Sequence, residues 1–336
     1  MSLDVTEEGA GSGGSLEHVA AVVVTHRRRR LATEVVRNLI AVEGFAPEHV
    51  VLVVNCDGGL DDPVLEAAIR TIRLKENLGP AGGFREGMAA ALEGRDIDWV
   101  YLCEDDIGLF DLPSPRVARV LQLAAAWPSG GEPLGAIVAY GRRFGRHSGG
   151  TDAFVPPADG PEALLPVDVA AWGATLLART VVDAGVLPDD RWFFGYEDFD
   201  FFLNLQKAGF ALVVDRLSAV AVGAQMTSAG RDRAFATARP TDAEEAWRAY
   251  YVARNFIEVA RLHGDARWVG WHLVYSARRA QLAASGAERW ATVRGLWDGF
   301  RGRLGPNPRY LRDTGEWDAP AAETGTSGPG EGDAAR

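Results

Sequence analysis

Residues 98–107 read Asp-Trp-Val-Tyr-Leu-Cys-Glu-Asp-Asp-Ile. From Trp99 to Cys103 the run is apolar and aromatic throughout, without the alternation of a strand that keeps one wet face. It fits a strand buried on both sides of a mostly parallel sheet. It ends in three consecutive carboxylates, Glu104, Asp105 and Asp106. The C-terminal ends of such strands are where open α/β sheets bind ligands. Adjacent carboxylates repel, so a fold tolerates them where solvent or a cation compensates. A solvated acidic turn and a cation site both remain open at this point.

The stretches before it have the rhythm of βαβ units. Val19–Thr25 is a second buried strand, followed by His26, four arginines (Arg27 to Arg30) and a helical pattern through Leu31, Val35, Val36 and Leu39. Residues 50–55, the second strand in chain order, end in Cys-Asp-Gly-Gly-Leu-Asp-Asp-Pro, the turn chemistry of a strand-to-helix loop. A short helix at 64–69 and a short strand at 71–74 follow. Then Asn-Leu-Gly-Pro-Ala-Gly-Gly-Phe-Arg-Glu-Gly at 77–87 makes a glycine-rich loop opening a helix. That loop follows the third strand, so it is no dinucleotide fingerprint. Alternation at this spacing predicts parallel, right-handed crossovers and a nucleotide-binding half-sheet.

Beyond Asp106, a helix is expected over 109–127, a strand over 135–139, and a loop-rich segment over 141–161 with Arg142, Arg143 and Arg146. A second acidic group lies in Trp-Phe-Phe-Gly-Tyr-Glu-Asp-Phe-Asp-Phe-Phe, 192–202. Glu197 and Asp198 would complement a helix dipole there. Crowded by rings, a carboxylate also has its pKa raised, as a general base requires. A strand at 210–215 and helices at 243–263, 268–282 and 289–304 complete the pattern. Arg254, on the first of these helices, could reach a phosphate. The last carries Trp290, Val293, Leu296, Trp297, Phe300 and Leu304 on one side, with arginines around them. Such a helix can lie on an anionic membrane, or bury its stripe in its own core or a dimer interface.

At 336 residues and 47% hydrophobic, the chain can form one or two domains. Its 46 acids against 35 bases, net charge −11, argue against a nucleic-acid partner. Cys56 and Cys103 both fall in strand-like runs and read as reduced core thiols of a cytoplasmic protein. No apolar run approaches the roughly 20 residues of a membrane span, and residues 1–17 lack a signal-peptide pattern. Residues 1–17 and 313–336 are expected to be disordered. Between them a nucleotide-sugar-binding and catalytic domain is expected over 18–240 and a helical region over 241–312.

Taken in order, these motifs resemble the family 2 glycosyltransferases, inverting enzymes of the GT-A fold. Val-Val-Val-Thr-His-Arg at 22–27 and Asn-Leu-Gly-Pro-Ala-Gly-Gly-Phe at 77–84 look most like bacterial galactofuranosyl and rhamnosyl transferases. The resemblance implies a mixed, mostly parallel sheet flanked by helices, with a C-terminal helical extension. It implies that Thr25 and Asp57 contact the base and ribose of a UDP- or dTDP-sugar donor. Asn77, Gly82 and Arg85 would hold the nucleotide and its phosphates. Glu104, Asp105 and Asp106 stand at the family's Asp-x-Asp motif. Asp106 would bind Mg²⁺ or Mn²⁺, and Glu104 or Asp105 would be second ligand or ribose contact. Trp172 and Gly173 match the acceptor-side motif. Glu197 and Asp198 match the Glu-Asp pair whose Asp is the catalytic base.

Two departures are visible. Glu104 replaces the usual Asp, and residues 220–228 contain no histidine, so no third protein ligand is assigned. The implied acceptor is a glycan, a lipid-linked glycan or a small molecule. Peripheral contact with the inner membrane face and homo-oligomerisation are left open. A sugar-phosphate nucleotidyltransferase and a non-catalytic nucleotide-sugar-binding subunit are the rival readings, and a glycoside hydrolase also needs two carboxylates.

Overall fold

A computed structural model describes residues 16–107, 112–145, 147–228, 242–283 and 285–311. The termini expected to be disordered, Arg146, and the start of the helix expected at 109 lie outside these residues, apart from a short 3-10 turn at Leu16–His18.

The first half is built as its apolar runs suggest. β1 (Val19–Thr25) is buried at all its positions. α1 (Arg29–Ala41) buries Leu31, Ala32, Val35, Val36 and Leu39 at helical spacing and turns its charged residues outward. β2 (Val50–Val54) is again fully buried. α2 (Pro63–Ala68) starts with a proline, and its Asp62 cap accepts from the Val64 and Leu65 N–H groups. β3 (Arg70–Arg73) is short and half-buried. α3 (Gly79–Leu92) then leads to β4 (Trp99–Glu104).

The second half is more irregular. The helix expected over 109–127 is α4 (Arg116–Ala125), which begins after Pro115. β5 (Leu134–Val138) is buried. The stretch expected to be a loop holds β6 (Gly141–Phe144) and β7 (Thr151–Phe154), an antiparallel pair. Its polar sequence hid it, because these strands form a small separate sheet with β9 and bury little. β8 (Leu164–Pro166), β9 (Val169–Ala170), β10 (Thr175–Ala178), α5 (Arg179–Asp183), α6 (Glu197–Lys207), β11 (Ala211–Asp215) and α7 (Arg216–Ser228) follow. Three helices end the described chain: α8 (Asp242–His263), α9 (Ala266–Leu282) and α10 (Gly286–Phe300).

The main sheet has eight strands in the order β3-β2-β1-β4-β10-β5-β11-β8. Only β10 and β8 run against the rest. The sheet is therefore mixed and mostly parallel, as expected. Odd and even residues of β1 feed two separate cores. Val19, Ala21 and Val23 pack with α1 and α4, while Ala20, Val22 and Val24 pack with α3 and α6. This is the three-layer arrangement that buries both faces of a parallel sheet. On α3, Gly83 and Gly87 bring the helix so close that an added Cβ would lie 2.6 Å and 2.3 Å from Val24 and Val22 side chains. These glycines serve helix–sheet contact.

Both thiols are free. Cys103 is buried in β4, but Cys56 is only half-buried. It lies in the turn after β2 with φ 83°, so the expectation that both are core strand residues holds for Cys103 alone.

Candidate active site

The order of strands reverses between β1 and β4, the first pair to leave a crevice at their C-terminal ends. Thr25 ends β1 and Glu104 ends β4, so both deliver side chains into that crevice. Thr25 Oγ1 donates to Asp105 Oδ2 at 2.8 Å. Arg28, just before α1, donates through Nη1 to Asp105 Oδ1 at 2.8 Å and to Asp106 Oδ2 at 2.9 Å. Asp105 is 5% exposed, and burial pushes its pKa up to about 6 although the Arg28 charge opposes this. Asp106 is more open, with 39% of its side chain exposed.

Glu104 has the harshest environment. Burial comes first, then the charges of Asp106, Asp198, Glu197 and Asp105, and together they hold its pKa well above the ordinary carboxylate range. Four other carboxylates thus act on one side chain. The acids of residues 104–106 and those of 197–198, about ninety positions apart in the chain, are thus near enough for their charges to act on Glu104 together. Gly173 stands beside it. A Cβ there would be 3.8 Å from Glu104 Oε2 and 2.9 Å from Ile107 Cδ1, so the missing side chain keeps the space open.

The second acid pair is set by an unusual turn. Gly195 and Tyr196 both have positive φ, 77° and 69°, immediately before α6. Asn255 on α8 fixes that turn, its Nδ2 donating to the carbonyls of Phe194 at 2.7 Å and Gly195 at 2.9 Å. Arg254 Nε in turn donates to Asn255 Oδ1 at 2.7 Å. Glu197 is buried, and its Oε2 has no hydrogen-bond partner. Burial, then the Asp198 charge, raises its pKa to about 8. Burial likewise raises Asp198 to about 7, against the Phe199 N–H bonded to Oδ1 at 2.8 Å and the charge of Arg142 on β6.

The remaining expected residues have mixed fates. Asn77 Oδ1 accepts from the Gly79 N–H at 2.9 Å, and its Nδ2 lies 3.4 Å from His26 Nε2. Asp57, at the end of the β2 turn, pairs with Arg27 at 2.9 Å, and that hydrogen bond holds its carboxyl below the usual range. Gly82 is buried within α3, where a Cβ would meet Leu78 at 2.4 Å, so it serves packing. Arg85 donates to the Pro188 carbonyl at 3.2 Å, facing the 188–189 loop. Trp172 is 1% exposed and packed with tilted ring planes among Phe84, Phe201 and Phe202. The residue matched to the acceptor-side motif is thus a core ring. Arg254 is also buried: Nη1 donates to the Gly305 carbonyl at 2.6 Å, and its guanidinium lies over the Tyr250 and Tyr251 rings. The phosphate role expected of it is replaced by support of Asn255.

Sequence reasoning gave no role to Arg28, within the arginine run, to Asn55, or to Asn255, within the Tyr-Tyr-x-x-Arg-Asn segment at 250–255. Asn55, at the end of β2, accepts from the Leu78 N–H and donates to the Gly79 carbonyl, both at 2.9 Å. It ties the glycine-rich loop to the sheet. The four-arginine run directly after β1 was the one available signal for Arg28.

No family model matches the chain. It is similar to galactofuranosyltransferase GlfT1 of Mycobacterium tuberculosis (strain H37Rv), 43% identical over 98 residues, 27% of this chain and 31% of the relative. GlfT1 of Mycolicibacterium smegmatis is 39% identical over 94 residues, 27% and 30% of the two chains. The match thus spans about a third of the length of these relatives. The resemblance to galactofuranosyl transferases expected from the motifs is met there. Among solved structures, GalNAc-T7 with UDP, GalNAc and Mn²⁺ aligns at a TM-score of 0.47 and 12% identity, over 59% of this chain and 42% of that one. The mannosyltransferase PcManGT from Pyrobaculum calidifontis, in complex with GDP-Man and Mn²⁺, aligns at 0.45 and 13%, over 85% and 88%.

Proposed function

We propose that the chain is a glycosyltransferase that moves a sugar from a UDP- or dTDP-sugar, galactofuranose- or rhamnose-like, to an acceptor hydroxyl with inversion. The observation that carries this reading is the Glu104 environment, in which acids from both halves of the sheet act on one carboxylate. Five carboxylates answered only in part by Arg28 and Arg142 call for further positive charge.

Mg²⁺ or Mn²⁺ held by Asp106 and Glu104 would supply that charge and neutralise a departing nucleoside diphosphate. The donor chemistry fits, since both are hard oxygen ligands. Among the described residues no three His, Cys, Asp or Glu side chains group closely enough to hold a metal ion alone. Waters and diphosphate oxygens would fill the remaining positions, as is usual for Mg²⁺. Arg28 bridges Asp105 and Asp106 through one guanidinium nitrogen and fixes both carboxylates at the crevice. Thr25 and Asp57 would contact the base and ribose, Asp105 the ribose, and Asn77 the nucleotide and its phosphates.

Asp198 acts as general base. Its pKa near 7 lets it take the proton of an acceptor hydroxyl at neutral pH, while the hydroxyl oxygen attacks the anomeric carbon from the face opposite the diphosphate. Glu197, coupled to it and holding a proton at neutral pH, keeps the local charge low. The open side at Gly173 gives the acceptor its approach. The test is release of UDP or dTDP from sugar nucleotides across an acceptor panel, with and without Mn²⁺, using the chain and its Asp198→Asn variant. Nucleotide release with acceptor that Asp198→Asn abolishes supports the reading. Pyrophosphate release from a nucleoside triphosphate would replace it with nucleotidyl transfer.

A further inference from the structure

α10 is built inside out. The face it sets against α8 is small or polar: Ala291, Thr292, Gly295, Asp298 and Gly299 are buried. At Gly295 and Gly299 it backs onto main chain, where an added Cβ would stand 2.3 Å and 2.6 Å from the Tyr250 and Arg254 carbonyl oxygens. Its large apolar side chains point the other way. Trp290, Val293, Trp297 and Phe300 are 71%, 50%, 53% and 57% exposed. Their spacing of three, four and three places them along one stripe. α9 repeats the pattern, burying Trp268, His272 and Ser276 while exposing Trp271, Val274, Tyr275 and Leu282. Of the three covers open to this stripe from sequence, burial in the chain's own core is excluded among the described residues.

The charge on these helices chooses between the other two. Residues 266–311 contain eight arginines, no lysine and two acids, in a chain whose net charge is −11. Both acids, Glu288 and Asp298, are buried and matched internally, by Arg279 and by Arg294 and Arg303. Arg278, Arg289 and Arg301 are exposed beside the aromatic residues, with the Arg301 guanidinium 4.5 Å from the Trp297 ring centroid. In a two-fold dimer through this face the arginines of one copy would meet the same arginine-bearing face of the other, with no exposed acid on either helix from 286 to 300 to neutralise them. A lipid surface with anionic headgroups offers both what the rings and what the guanidiniums need.

We propose that the exposed faces of α9 and α10 dock on an anionic bilayer, such as a cytoplasmic leaflet, with Trp290 and Trp297 at headgroup depth and the arginines on lipid phosphates. The inference stands apart from the proposed transfer reaction, because vesicle binding is read without donor or acceptor. The full chain is sedimented with phosphatidylcholine vesicles containing phosphatidylglycerol at roughly one lipid in three, and with phosphatidylcholine alone. Binding is expected only to the anionic vesicles and should weaken as salt is added. Removing two surface arginines (Arg289→Gln with Arg301→Gln) should weaken it about 30-fold, at the roughly fivefold that one such residue contributes. Trp290→Ser with Trp297→Ser should weaken it at least as much, with an unchanged thermal midpoint because both side chains are exposed. Equal sedimentation with both vesicle types, or none with either, overturns the proposal. So does a dimer in light scattering that the tryptophan pair abolishes.

Discussion

The two acid groups of the crevice differ in how their charge is answered. At the end of β4, Asp105 and Asp106 share one guanidinium, and Asp105 also receives the Thr25 hydroxyl. Before α6, Glu197 and Asp198 have backbone N–H groups and the more distant Arg142 charge, and Glu197 Oε2 has no partner. The first arrangement answers its carboxylates with a fixed positive charge. The second leaves protons loosely held near neutrality. One is suited to gripping a positively charged body, the other to taking a proton and passing it on. Glu104 stands between them and feels both.

The sharpest way to break this contrast is to remove the proton acceptor. Asp198→Asn should lower transfer by the ~10²–10⁴-fold typical of a lost general base, while donor binding by calorimetry stays near wild type. Near-normal turnover would move the base elsewhere. The converse change, Asp106→Ala, should weaken Mn²⁺-dependent donor binding by at least about tenfold, the loss that even an outer partner of a metal site brings. If UDP binds the variant as well in Mn²⁺ as before, the first group is not the grip.

Smaller effects sharpen the picture. Asn255→Ala frees the carbonyls of Phe194 and Gly195 and loosens the turn that seats the pair. The turnover number should fall about tenfold with the donor KM unchanged, in line with losing a buried hydrogen bond. The acidic limb of the rate profile, set by a base near pH 7 and falling below it, should move to lower pH as the pair becomes wetter. A merely structural Asn255 would leave that limb in place.

The smallest effect is on stability. Glu197 has its folded pKa raised to about 8, above the value of an exposed Glu, so its contribution is fully present at low pH and is lost as pH rises toward 8. Glu197→Gln should therefore raise the thermal midpoint by a few degrees at pH 8, with the difference vanishing near pH 4. A constant difference at both pH values would mean that Glu197 is not a buried acid.

Much of this was legible before any coordinates. β1, β2 and β4 are runs of Val, Ala, Leu, Cys and aromatic residues up to the Thr25 and Glu104 that end β1 and β4, the pattern of a doubly covered sheet. The three acids at the end of β4 and the pair among aromatics at 197–198 are equally plain, because charge next to apolar sequence is a strong contrast. Contacts between residues distant in sequence were not legible. Nothing in Tyr-Tyr-x-x-Arg-Asn at 250–255 tells whether its arginine reaches a ligand or supports an asparagine. Trp172 likewise has the composition of a sugar-stacking residue, and only the rings of Phe84, Phe201 and Phe202 around it make it core. The amphipathic pattern of α10 marked a stripe but not its direction, which the glycines at 295 and 299 decide.

Gly79 has a further consequence. With φ 72°, its α-carbon lies so near the Phe193 carbonyl that an added Cβ would be 1.8 Å from the oxygen. The loop that opens α3 and the aromatic segment ahead of α6 therefore meet backbone to backbone, with no side chain as a cushion. The two segments are held together at that point, and any opening of the crevice that parted them would break this contact.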